Sequence, residues 1–351
     1  MNPQTIIEKS NKYLVRVSCM TYNHSSFILD AMKGFVMQQT NFPFICTIID
    51  DASTDGAQKV INHYVRENFD LQNSTNASDK DTDYGHVTFA RHKTNVNCFF
   101  AVIYLKENHY SQRKSKGVYL LKEWLSTKYC ALCEGDDYWT DSLKLQKQVD
   151  YMEAHPECGL VYTQAQQYIQ ETGEFIDGWA AQTDFEDLLL NANKIMTLCT
   201  LFRNDLSQDY YEWRGTNCNW IMGDFPLWLY LSKHSKIHYI DEVTGVYRLL
   251  ESSASHDSDI EKMKNFLIST YEVRCYFAKR YGYHHLLNQF AKNEVDNLFR
   301  QSVHKDKSIS RFIFQFAREK GVLSWEIVVK CLLYSTKLGR LYHRKKYPDS
   351  V

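Results

Sequence analysis

The run Cys133-Glu134-Gly135-Asp136-Asp137-Tyr138-Trp139 places three carboxylates within four residues, directly after the apolar stretch Tyr129 to Leu132. Acids crowded at the end of a buried strand raise one another's pKa unless a cation or hydrogen-bond donors compensate. The natural compensator is a hard divalent cation, which takes one or two carboxylates together with phosphate oxygens of a substrate. A second acidic pair, Asp50-Asp51, ends the apolar run Phe44 to Ile49. Two acidic strand ends in one chain predict a crevice for a nucleotide and a metal.

The elements that must position these acids surround them in the sequence. Leu14 to Met20 reads as a strand, followed by the polar turn Thr21 to Ser26. A helix then carries Phe27, Ile28, Ala31, Met32, Phe35 and Val36 at helical spacing, with Ser25 or Ser26 as its N-cap. Phe44 to Ile49 is the second strand, Asp50 to Gly56 its turn, and Ala57, Val60, Ile61, Tyr64 and Val65 mark the next helix face. This alternation predicts βαβ units, hence an α/β fold with a mostly parallel sheet flanked by helices. In such sheets ligands bind outside the carboxyl ends of the strands, where both acidic clusters fall.

Farther along, Leu71 to Gly85 is polar and aperiodic and reads as a surface loop. Its Asn73 and Asn76 sequons are expected to be silent in a cytoplasmic protein. Val87 to Ala90 reads as a short third strand, and Lys116 to Thr127 as a helix feeding the strand that ends in the acidic run. Asp141 opens a helix to about Ala154, and Gly159 to Thr163 returns as a strand. Met196 to Phe202 and Ile237 to Leu249 supply further strands around an Asp224 to Leu231 helix. From Asp257 onward the pattern is helical, so an α/β domain over 1–255 and a helical C-terminal region over 256–351 are expected.

Bulk properties narrow the classes. A net charge of -1 excludes a dedicated nucleic-acid binder, so no nucleic-acid partner is expected. Met1 to Asn11 is polar and shows no leader pattern. The ten cysteines lack framework spacing, which predicts reduced thiols and a cytoplasmic protein. Cys130 and Cys133 form a lone C-x-x-C without a second pair, a poor zinc signature. No stretch reaches the roughly 18 apolar residues that a spanning helix needs.

Taken in order, several segments resemble family 2 glycosyltransferases of the GT-A fold: Val17-Ser18-Cys19-Met20-Thr21-Tyr22-Asn23-His24, Ile49 to Gly56, and Glu134 to Trp139. The similarity continues through Lys144 to Gln148, Gly223 to Leu227 and Val246-Tyr247-Arg248, and so covers about residues 13 to 255. The resemblance implies an inverting, metal-dependent transfer of a sugar from a nucleoside diphosphate to an acceptor hydroxyl, in bacterial surface-polysaccharide synthesis. It implies Mn2+ or Mg2+ held at Asp136 and Asp137, Glu134 standing where many relatives carry Asp. Asp136 is assigned to the metal or the ribose. Asp51, with Asp50 beside it, would accept from the base edge; the imide N–H of uracil suits it, which favours a UDP-sugar. Tyr22 would stack on the base, with Thr21 and Asn23 shaping the turn, and Arg91 would face the nucleotide.

The same resemblance makes Asp224 the general base for the acceptor hydroxyl, a helix cap being its plain alternative. Arg248 could pair with the diphosphate. Relatives place a His soon after the Tyr-Arg pair, over the diphosphate or metal; here the first is His256, which is either that ligand or a surface residue. Asn95-Val96-Asn97 departs from the relatives' Asn-x-Gly.

Leu323 to Tyr342 is amphipathic and runs into His343-Arg344-Lys345-Lys346, with six Lys/Arg against two acids after Gly321. This predicts either a helix packed on the domain or one docked on the cytoplasmic face of the inner membrane, near a glycan or lipid-linked glycan acceptor. Two rivals are a nucleotidyltransferase, whose Gly-rich, basic first turn is missing from Thr21 to Ser26, and an inactive carbohydrate-binding scaffold.

Overall fold

A computed structural model describes residues 12–73, 75–112, 114, 126–215, 220–250, 259–302 and 306–346. The chain divides into two compact units. The first takes the described residues of 1–184, 194–213 and 230–249; the second takes those of 185–193, 214–229 and 250–351, so the division is not a single cut at 255.

The first unit is built on one sheet. β1 (Val15–Thr21), β2 (Phe44–Asp50), β6 (Cys98–Leu105) and β7 (Tyr129–Leu132) pair in the order β6-β2-β1-β7, all parallel. All seven residues of β2 are buried, as expected for a strand covered on both faces. Antiparallel strands extend both edges. On one side lie β5 (Gly85–His92), β3 (Phe69–Asp70) and β4 (Ala77–Asp81). On the other, β11 (Thr200–Arg203) and β9 (Cys158–Ile169) lead to β12 (Lys236–Leu249), β8 (Tyr138–Trp139) and β10 (Glu174–Ile176), with β9 and β12 parallel. The α/β class and the helical C-terminal region stand as expected, with the parallel pairing concentrated in the central four strands.

Two readings change, and a third falls outside the described residues. Residues 71–85 are not all loop, because Ala77–Asp81 pairs with β5. That strand carries no apolar alternation; it is held by backbone pairing and by Asp79 Oδ1, which accepts from Thr88 Oγ1 at 2.7 Å. The strand β6, unread in the sequence, inserts between β2 and β5. The helix expected at Lys116 to Thr127 lies outside the described residues from 116 to 125.

Helix α1 (Ile28–Val36) buries Ile28, Ala31, Met32 and Phe35, the i, i+3, i+4, i+7 face read from the sequence. It packs against β8 so closely that a Cβ on Gly34 would stand 2.9 Å from the Trp139 backbone nitrogen. Phe35 meets Trp139 edge-to-face at 5.0 Å. Its N-cap is Phe27, without a side-chain cap, and not Ser25 or Ser26. Helix α2 (Ala57–Asn68) begins after Gly56, whose φ of 98° needs glycine. Helix α3 (Lys144–Ala154) follows the acidic run.

The second unit contains α4 (Phe185–Leu190) and the helices α7 (Ile260–Arg280), α8 (Leu287–Ser302), α9 (Lys307–Glu319), α10 (Trp325–Ser335) and α11 (Lys337–Lys346). Helix α5 (Asn204–Arg214) belongs almost wholly to the first unit. Helix α6 (Asp224–His234) contributes Asp224 to Leu229 to the second unit and its remainder to the first.

Candidate active site

The two acidic strand ends form one edge. In the register of the central strands Thr21 lies beside Asp50, and Ser18 beside Leu132. Pairing continues past the end of β7: Cys133 N donates to Ser18 O at 3.2 Å and Gly135 N to Met20 O at 2.9 Å. Gly135 therefore abuts Thr21, and a Cβ there would come within 2.6 Å of the Thr21 side chain. Only glycine lets the run Glu134 to Asp137 lie this close to the end of β1.

The turns after β1 and β2 lock together. Asn23 N donates to Ser53 Oγ (2.9 Å), Thr54 N to Asn23 Oδ1 (2.9 Å) and Ser25 N to Asp55 Oδ2 (2.7 Å). Ser25 lies two residues before the Phe27 cap, and Asp55 holds both its backbone N–H and its side chain in the neighbouring turn instead of at the start of α1. Asp55 also caps α2, accepting from Ala57 N at 2.9 Å. Asn23 and Ala52 both sit at positive φ, 57° and 60°. Non-glycine residues held there cost about 1–3 kcal/mol each and collect at functional sites. Tyr22, 44% exposed, stands out from this braced pair of turns.

Within the acidic turn, burial pushes the Asp137 carboxyl well above its ordinary range, and the charges of Asp136 and Glu134 push it further. Arg248 opposes both. Its backbone N–H donates to Asp137 Oδ1 at 2.8 Å, and its Nε to the carbonyl of Asp136 at 2.8 Å. The guanidinium also donates to Gln170 Oε1 and Asp30 Oδ2, and lies 4.8 Å over Phe27 and 5.1 Å over Tyr138. Arg248 is thus a buried clamp on the acidic turn rather than the open diphosphate donor expected. Beneath the turn, burial and then the neighbouring acids keep the Cys19 and Cys133 thiols protonated. Cys130 and Cys133, three apart, project from opposite faces of the sheet and cannot share a zinc.

Asp50 and Asp51 are both fully buried. Asp50 Oδ1 accepts from Ser53 N at 3.0 Å and Gln58 Nε2 at 2.6 Å, while its Oδ2 has no protein partner. Asp51 accepts from His109 N at 2.8 Å and Tyr110 N at 3.1 Å, so the 109–110 backbone covers the carboxylate assigned to the base. Tyr104 pairs with Asp50 in register. Its hydroxyl, with Thr21 Oγ1 and His24 Nδ1, is likewise buried without a protein partner. His24 Nε2 stands 3.9 Å from Asp136 Oδ2. Four unmatched polar atoms thus gather along one strand-end edge, in a fold where a buried polar atom without a partner costs about 1–3 kcal/mol.

Of three further expected residues, one is carried away from this edge, one belongs to the second unit and one is not described. Arg91 lies in β5, which runs antiparallel to β6. It pairs with Phe99, which pairs with Ile45 near the start of β2. The reversal of strand direction thus carries Arg91 to the opposite end of the sheet from Asp50 and removes it from the site. Asp224 opens α6 in the second unit, half-buried, and its Oδ1 accepts from Phe225 N at 2.8 Å. His256 lies outside the described residues.

No protein-family profile matches the chain. Uncharacterized proteins of Mycobacterium bovis and Mycobacterium tuberculosis are 30% identical to it over 254 residues, 70% of this chain and 61% of theirs. The chain thus spans about three-fifths of the length of these curated relatives. Among solved structures, S. aureus TarS 1-349 in complex with UDP-GlcNAc overlays with a TM-score of 0.49 at 12% identity, covering 96% of this chain and 93% of that one. Mannosyltransferase PcManGT from Pyrobaculum calidifontis, in complex with GDP-Man and Mn2+, overlays at 0.47 and 11% identity, covering 97% and 89%.

Among the described residues no group of three or more His, Cys, Asp and Glu side chains is gathered to hold a metal. A protein cage is therefore not present in them. Asp136 and Asp137 do fit the sparser arrangement in which one or two carboxylates hold the ion and phosphate oxygens complete its shell. The like-charge crowding at Asp137 is what a cation would relieve.

Sequence reasoning missed His24, Tyr104, Gln170, Asp30 and Trp179. His24 lay inside a quoted motif without a role, whereas Tyr104 becomes visible only through its pairing. Trp179 is 42% exposed on a pinned backbone: Gln164 bonds both the N–H and the C=O of Ala180, and Gln167 holds Asp177 O. Its indole meets Tyr247 edge-to-face at 5.5 Å.

Proposed function

We propose that the chain is a glycosyltransferase that moves a sugar from a nucleoside diphosphate to an acceptor hydroxyl with inversion. The observation that carries this reading is the single edge at which four unmatched buried polar atoms and a crowded acidic turn meet. Unmatched atoms on that edge suit a polar ligand, and crowded acids suit one that brings a cation.

In this reading Tyr22 stacks on the base, and Asp50, Asp51, Thr21 and Asn23 shape its pocket, with UDP as the donor nucleotide. Asp136 and Asp137 hold Mn2+ or Mg2+, which when bound neutralises charge on the leaving diphosphate. The acceptor oxygen attacks the anomeric carbon, the bond from that carbon to the diphosphate oxygen breaks, and its electron pair leaves with the nucleotide. Asp224 takes the acceptor's proton. The acceptor is a glycan or lipid-linked glycan of a surface polysaccharide, met at the cytoplasmic face of the inner membrane, with Trp179 offering a face for a sugar ring.

Calorimetric titration of UDP, with GDP and CDP as controls, tests the donor site with and without manganese. Manganese-dependent UDP binding that disappears in Asp137→Ala is expected. A folded protein that binds no nucleoside diphosphate under either condition overturns the reading. With a UDP-sugar that transfers, Asp224→Asn should lower turnover about 10²- to 10⁴-fold while UDP binding persists. Sugar binding by the wild type with no transfer to any glycan would instead mark an inactive scaffold.

A further inference from the structure

Each of the last two described helices exposes a row of apolar side chains. In α10, Trp325 (81% exposed), Val329, Leu332 (66%) and Leu333 recur at i, i+4, i+7 and i+8. In α11, Leu338 (80%), Leu341 and Tyr342 recur at i, i+3 and i+4. The inward faces are well anchored, so this exposure does not come from helices left unpacked. Cys331, Tyr334, Gly339 and His343 are buried. Tyr334 meets His343 edge-on at 4.7 Å and Phe299 of α8 at 5.8 Å. The corner between the helices is tight: a Cβ on Gly339 would stand 2.0 Å from the carbonyl oxygen of Leu333.

The charge on this segment has one sign. Residues 325–346 carry Lys330, Lys337, Arg340, Arg344, Lys345 and Lys346 against Glu326 alone. Glu326 is already paired with Lys330 at 2.6 Å. Arg344, Lys345 and Lys346 are exposed at the end of α11.

We propose that α10 and α11 form an interfacial surface that docks on anionic lipid bilayers. Contiguous exposed apolar side chains mark an interaction site, and a basic, apolar helix pair matches a headgroup region that is apolar below and negative above. Neither helix is long enough to span, and no described helix is long and apolar enough to cross a membrane. A second copy of the chain fits less well, because its matching face is basic too and brings no complementary negative charge. The surface lies within the helical unit and does not depend on the donor site.

Co-sedimentation of the full chain with phosphatidylcholine vesicles, with and without phosphatidylglycerol, tests this surface. Binding is expected only to the anionic vesicles and should weaken as salt is raised. Lys345→Glu/Lys346→Glu should lower it at least about tenfold, each basic residue near the surface adding to the attraction. Leu332→Glu/Leu338→Glu should abolish it at any salt. Both pairs are exposed, so circular dichroism and UDP titration should match the wild type. Equal binding to neutral vesicles, or wild-type binding by both variants, overturns the proposal. So does absence of binding, with or without a dimer by light scattering that Leu332→Glu/Leu338→Glu disperses.

Discussion

Two buried carboxylates, one in each unit, have ended in different circumstances. Asp137 and Glu294 are 3% and 2% exposed, and burial raises both above their ordinary values. Glu294, lifted to about 7, has the Arg274 guanidinium opposing the rise. Arg274 is itself buried, lies over Phe225 at 5.4 Å and donates to Asn191 O, all within the helical unit. The neighbours of Asp137 are mostly acids, and its one strong counterweight, Arg248, spends its side chain on Asp136 O, Gln170 and Asp30. Burial alone therefore does not mark a functional acid. The sign of the surrounding charge differs: a guanidinium partly offsets burial at Glu294, whereas neighbouring acids add to it at Asp137.

Breaking Asp137 should give the largest effect. Asp137→Asn keeps an oxygen acceptor for the Arg248 N–H but removes the charge, so transfer should fall about a hundredfold or more. The metal-free fold should gain stability. The folded pKa of Asp137 is raised, so its ionised form is a penalty that is absent well below the unfolded value and grows as pH rises toward the folded one. Thermal unfolding at neutral pH should therefore move to higher temperature in the variant, and manganese with UDP should stabilise the wild type only. A variant less stable than wild type at neutral pH would break the comparison.

Glu294 sharpens it from the other side. Its unfolded value is 4.5 and its folded value about 7. Stability should decline as pH rises from about 4.5 to 7 and level off above, a total of about 3 kcal/mol at 1.36 kcal/mol per pKa unit. Glu294→Gln should flatten that slope, read as the difference between wild-type and variant denaturation curves across pH, with sugar transfer unchanged.

Arg248→Lys keeps the backbone bond to Asp137 and loses the forked side-chain contacts. It should cost about 2 kcal/mol in denaturation and weaken UDP binding more than it weakens folding. Tyr104→Phe should have the smallest effect on the fold, within about 1 kcal/mol and of favourable sign, because it deletes a hydroxyl with no partner. UDP binding should nevertheless weaken severalfold if the ligand meets that hydroxyl. Unchanged UDP affinity would take Tyr104 out of the site.

What the sequence alone determined was local. Apolar spacing specified α1 and its buried face, the continuous run Phe44 to Ile49 specified a central strand, and the clustered acids marked strand ends. Each of those signals is complete within a dozen residues, because helix and strand periodicity are properties of one segment. Tertiary structure decided what those segments meet. It inserted β6 beside β2 and reversed β5, carrying Arg91 to the far end of the sheet. It also tied Ser25 to Asp55 instead of leaving it to cap α1, and brought Arg248 across 111 residues to clamp Asp137. Strand direction, register and the partner of a buried charge depend on chain segments far apart in sequence, which is why no local pattern announced them.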